Sequence, residues 1–85
     1  MHKKAIYSLT VDLTLRELHD ERHIEREKLA QALEISNLTV TRIENGAERK
    51  NAGELILMLD VFDLGWEDFM TRVKANLAKA EAQLI

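Results

Sequence analysis

The apolar positions of this 85-residue chain recur at helical spacing almost throughout. Val11, Leu15 and Leu18 are four and three residues apart, the period of one helix face, and predict a first amphipathic helix from about Leu9 to Arg22. Leu29, Ala30 and Leu33 mark one face of a short second helix, Arg26 to Leu33, and Ile24 just before it is placed to plug the core as a staple. A break follows at Glu34-Ile35, after which Ser36 is suited to cap a third helix. Stepping about 100° per residue from Asn37 sets Val40 and Ile43 on one side, with Asn37, Leu38, Thr41, Arg42 and Asn45 on the opposite arc. Gly46 closes that helix as a left-handed cap, and Ala47 to Lys50 forms a polar connection. Asn51 then caps a fourth helix, Ala52 to Phe62, whose apolar residues run nearly all the way round, so that it must be buried on more than one side. Gly65 separates it from a fifth helix starting near Trp66. There Trp66, Met70, Val73, Leu77, Ala80 and Leu84 alternate spacings of four and three in a heptad-like seam. Residues 1–7 read as a short flexible arm, a frayed terminus whose two lysines can touch a backbone phosphate.

The pattern predicts an all-α, five-helix domain occupying 1–85, with its core in 9–69 and an extended C-terminal helix over 66–85. Absence of proline and scarcity of glycine suit helices joined by short turns. A core this small is marginal alone, which favours oligomerisation. With no cysteine there is no disulfide framework and no thiolate metal site, and a reducing cytoplasm is the expected compartment. No run approaches a membrane span, and Met1-His2-Lys3-Lys4 is not followed by a signal-like apolar segment.

The third helix has a narrow apolar anchor and an outward face of amide, hydroxyl and guanidinium groups. Asn, Thr and Arg are the side chains that base edges and phosphates require in a major groove, so Asn37 to Asn45 reads as a recognition helix. A net charge of −3 opposes binding to a polyanion. Its distribution softens this: residues 16–50 carry seven Lys or Arg against eight Asp or Glu, while residues 51–85 carry three against six. Leu38 sits within the polar arc, either to meet a thymine methyl or as a scattered exposed apolar residue. His19 and His23 are spaced as metal ligands can be, but lack a third partner and have structural explanations. No Ser/His/Asp or Cys/His constellation and no phosphate-cradling Gly loop suggests catalysis, and neither a cofactor nor a small-molecule effector is indicated. Glu67-Asp68 and Asp20-Glu21 read as helix-start charge and solvated surface.

Residues 15–69 resemble the helix-turn-helix domain of the xenobiotic-response-element family, which includes the lambda-type phage repressors and Cro. The resemblance rests on Leu29-Ala30, Ser36, Val40, Ile43, Glu44-Asn45-Gly46, Leu55, Leu59 and Phe62. It implies a lambda-repressor-like fold and a transcriptional regulator whose third helix enters the major groove of double-stranded DNA. Asn37, Leu38, Thr41 and Arg42 would then face base edges, while Arg26, Ser36, Asn45, Arg49 and Lys50 approach phosphates. The chain departs from the family at His23, Glu34 and Asp63, where relatives usually have Gly with positive φ, so some backbone strain is expected there. Arg26 replaces the family's phosphate-contacting Gln. His19 replaces the Arg that pairs with the third-helix Glu in many relatives, and is expected to bond Glu44.

In the fourth helix, Leu55, Met58, Leu59 and Phe62 form the stripe that the family buries in its own core. Leu57 and Val61 make neighbours on another face, where relatives more often have polar or small residues. With the seam of the fifth helix, this gives an expected dimer interface of Leu57, Val61, Trp66, Met70, Val73 and Leu77. A homodimer would occupy an inverted-repeat operator, as a Cro-like repressor, a restriction-modification controller or a similar autoregulator does. The rival reading, favoured by the acidic C-terminal half, is an antitoxin or other interaction module with a protein partner such as a toxin.

Overall fold

Stripes of this kind are buried only if the helices fold back on one another. The computed structural model, which describes residues 3–83, contains α1 (Lys3–Arg22), α2 (Arg26–Leu33), α3 (Asn37–Glu44), α4 (Ala52–Phe62) and α5 (Trp66–Gln83), and no strand among the described residues. No helix among them is long and apolar enough to cross a membrane.

The joints share one device. Glu34 ends α2 in the left-handed conformation (φ 58°), with Ile35 N–H donating back to Ala30 O at 3.0 Å. Asp63 ends α4 likewise (φ 54°), with Leu64 N–H donating to Leu59 O at 3.0 Å, and His23 (φ 53°) turns the chain out of α1. The next residues, Ile24, Ile35 and Leu64, all pack partly buried against the core, the apolar contact that accompanies this helix ending. Backbone direction and core burial are thus set by the same pair of residues. At the end of α3 the left-handed residue is Gly46 (φ 76°), and Ala47 N–H donates to Arg42 O at 2.8 Å. A Cβ on Gly46 would also lie 3.2 Å from Asp12 Oδ2, so the torsion calls for glycine and a side chain there would press on Asp12.

A left-handed residue with a Cβ costs roughly 1–2 kcal/mol, partly offset in a glycine by greater freedom of the unfolded chain. The exposed Glu34 is therefore expected to be improved by Glu34→Gly, by about 0.5–1 kcal/mol, seen as a higher urea midpoint with unchanged slope. A lower midpoint would contradict the strain assigned to this turn.

Leu15 and Leu18 of α1, Leu29, Ala30 and Leu33 of α2, Val40 and Ile43 of α3, Met58, Leu59 and Phe62 of α4, and Phe69 and Val73 of α5 form the core. Helices α2 and α3 have eight residues each, too short to persist in water alone, so they depend on this core and on their caps. Ser36 Oγ accepts Thr39 N–H at 3.1 Å. Asn51 forms a reciprocal capping box with Glu54, at 2.8 and 3.0 Å.

The structure departs from the sequence reading at both terminal helices. α1 begins at Lys3, so residues 3–7 are helical, not an arm; residues 1–2 lie outside the described residues. No Gly or Pro interrupts this stretch, and extending a nucleated helix is far easier than starting one. Thr10 also ties back to Ile6 O at 2.7 Å.

In α5 the buried face is Phe69, Val73 and Asn76, with Met70, Leu77 and Ala80 at its margins. Trp66, assigned to the dimer interface, is 54% exposed in the single chain, and Leu84 lies outside the described residues. The inward face of α5 includes a polar residue because α1 supplies its partners. Asn76 Nδ2 donates to Thr14 Oγ1 at 2.9 Å and to Glu17 Oε2 at 3.1 Å, and Thr14 Oγ1 donates to Thr10 O at 2.8 Å. An apolar template passes over an asparagine whose hydrogen bonds are supplied by a facing helix. Val73, expected in the dimer interface, is buried within the chain against α1 and the core, where little of it is left for a partner.

Candidate nucleic-acid interface

The site is built on a helix too short to stand alone. Val40, Ile43 and Glu44 of α3 are buried, and their anchoring turns Asn37, Leu38, Arg42 and Asn45 outward as exposed side chains. Leu38 is 58% exposed, within that polar arc. Thr41 is half-buried, and its hydroxyl donates to Asn37 O at 3.2 Å, leaving its oxygen to accept. The arc carries donors, acceptors and one apolar group on a rigid base, which matches what a major-groove edge presents.

Beneath the arc lies the expected pairing of His19 with Glu44. His19 Nδ1 and Glu44 Oε2 are 2.6 Å apart, and His19 Nε2 is 2.8 Å from Ile24 O. The ring also stacks at 6.4 Å on Phe62. Both ring nitrogens thus have oxygen partners, fixing the imidazole between the α1–α2 turn and the end of α3. The second oxygen, Glu44 Oε1, lies 3.8 Å from Arg26 Nε. A buried carboxylate therefore links the core to a half-exposed guanidinium at the start of α2.

The residues assigned to phosphates do not all share one surface. Arg26 and Asn45 border a polar niche of about 270 Å3 together with Arg16, His19, Asp20, Thr41 and Glu44. Arg49 lines a separate open groove of about 780 Å3, between the first turns of α1 and the α3–α4 connection, whose walls include Lys4, Tyr7, Leu9, Val11 and Leu55. Lys50, also assigned to a phosphate, has its ammonium paired with Asp12 and its side chain only 13% exposed, because Asp12 of α1 lies under the turn at Gly46. Ser36 likewise spends its hydroxyl oxygen on the cap and on Thr39 Oγ1 at 2.9 Å. Both residues shape the loop ends of α3 through intrachain contacts.

Of the residues assigned to a dimer interface, Leu57 and Trp66 are exposed, Val61, Met70 and Leu77 are half-buried, and Val73 is buried. Ile56, 54% exposed, belongs with the first group although the sequence reading did not select it. Its signal was the apolar circumference of α4. Arg16 was also missed, since nothing in its local sequence shows that it reaches the niche beside α3.

This arrangement, two short helices at a tight turn with a polar arc on the second, agrees with comparison to known families. The helix-turn-helix family model HTH_3 matches residues 15–69, from Leu15 of α1 to Phe69 of α5. Curated proteins and solved structures give no match to the chain. The chain is a DNA-binding regulator belonging to the Cro/C1-type helix-turn-helix family, also called the XRE family.

Proposed function

We propose that this chain binds an inverted-repeat operator as a homodimer, each copy inserting α3 into the major groove. The single observation that carries the reading is the anchoring of α3: Val40, Ile43 and Glu44 are held in the core, while the outward arc is left exposed. In this arrangement Asn37, Leu38, Thr41 and Arg42 meet base edges, and Leu38 takes a thymine methyl. Arg26, Asn45 and Arg49 contact the backbone. Ser36 and Lys50 act indirectly, by holding the two ends of the recognition helix and its loop.

Selection of bound sequences from random duplex DNA supplies the operator, and two substitutions then separate the roles. Arg42→Ala is expected to relax the preference at one base position by about 1–3 kcal/mol. Arg26→Ala is expected to weaken all sequences alike and to flatten the salt dependence of binding. Duplex binding unchanged in both variants would overturn the groove assignment.

The exposed Ile56, Leu57 and Trp66 also favour a second reading, in which this surface receives a different protein and the pair autoregulates its operon as an antitoxin complex does. Co-purification with a second small protein, together with a monomeric state when that partner is absent, distinguishes it from the homodimer.

A further inference from the structure

We infer that Arg16 of α1 is a second guanidinium for the DNA backbone, binding one phosphate together with Arg26 at the niche that both residues line. The inference rests on the operator-binding reading, and deepens it by adding a contact from a helix outside the helix-turn-helix pair. Arg16 and Arg26 line the same depression, and that depression borders the outward arc of α3 at Thr41 and Asn45. A phosphate passing beside α3 would therefore meet one arginine from α1 and one from α2.

The charges around the niche favour this use. Arg26 is half exposed, and its 3.8 Å separation from Glu44 is too long for a hydrogen bond, so its donors remain available. Glu44 already has His19 as a close partner. Lys50 and Arg72 are held in intrachain ion pairs with Asp12 and Glu21, whereas among the described residues Arg16 has none within bonding distance. Guanidinium groups bind phosphate through paired N–H donors, and two of them bordering one depression can share a single phosphate. Asn45 adds a neutral amide at the rim. Asp20, four residues along α1 from Arg16 and also in the niche, is the one opposing charge there not engaged by an ion pair. It lowers the affinity for phosphate there, so its neutralisation is expected to act in the opposite direction.

The test uses the full chain and two duplexes, one selected from random sequence and one unselected, titrated between about 50 and 200 mM salt. Arg16→Ala is expected to weaken both duplexes about tenfold, with the base preference unchanged. The slope of log affinity against log salt should fall by about one for each half-site. Arg16→Lys should keep the slope but regain only part of the affinity, and Asp20→Asn should tighten binding. Because Arg16 is exposed, the melting temperature of Arg16→Ala should match that of the parent, which separates a contact from a structural role. A salt slope unchanged in Arg16→Ala but reduced in Arg26→Ala would overturn the inference and leave operator binding intact. A parent protein showing no salt-dependent binding to either duplex would overturn both.

Discussion

Glu44→Ala is expected to bring the protein close to unfolding at room temperature. Glu44 is 4% exposed, and its carboxylate is the partner of the buried His19 ring. Removing one member of a buried pair leaves the other without compensation and costs about 3–5 kcal/mol. A domain of this size has a total stability of roughly 5–10 kcal/mol, and about 1 kcal/mol shifts its melting temperature by 4–8 °C. The melt followed by circular dichroism should therefore fall by about 15–30 °C. Glu44→Gln keeps an oxygen acceptor for His19 Nδ1 and should recover much of the loss, because the hydrogen bond survives without the charge. A Glu44→Ala protein melting within a few degrees of the parent would show that the pair contributes nothing to the fold. The effect on DNA binding follows the same path. Glu44 ends α3, so loosening it releases both the recognition helix and its neighbour Arg26.

The double substitution Ile56→Glu with Leu57→Glu is expected to produce a folded monomer that binds operator at least about a hundredfold more weakly. Two linked half-site contacts exceed one by about 10²–10⁴ in affinity, and that factor is lost when the copies separate. Both side chains are exposed in the single chain, so charge there should leave the core unaltered. Val61 is not used in this test because it packs partly against the core, and a carboxylate there would confuse unfolding with dissociation. The proposed twofold interface places the recognition helices on one side of the pair, able to enter successive major grooves about 34 Å apart. The footprint should accordingly show half-sites centred roughly one helical turn apart. Sedimentation showing a monomeric parent at micromolar concentration, still tight on a single half-site, would end the dimer model.

Several parts of the site were legible in sequence because they depend on neighbours a few residues away. Ser36, Asn51 and Gly46 announce the ends of α3 and α4 through caps whose chemistry is local. Positive φ at His23, Glu34 and Asp63 follows from the turns that the family resemblance implies, and all three residues adopt it. The His19–Glu44 pair spans 25 positions and was still foreseeable, since replacing an arginine opposite a buried carboxylate requires another donor.

The arm expected at residues 3–7 is helix for a local reason, whereas other features depend on partners distant along the chain. Lys50 looks like any loop lysine until Asp12 of α1 is brought beneath it. Asn76 looks like a surface residue until Thr14 and Glu17 supply its bonds, on the face of α5 that also buries Phe69. Periodicity reports which residues share a face, and caps report where a helix stops; both are local, and they sufficed for the five helices, the apolar faces of α2, α3 and α4, and the outward arc of α3. The facing of a mixed helix, the fate of each charge and the meeting of Arg16 and Arg26 at one niche depend on which elements pack together. Those were decided only by the tertiary structure, because a polar group's cost of burial depends on the partner it finds, and the partners of Lys50 and Asn76 lie 38 and 62 residues away.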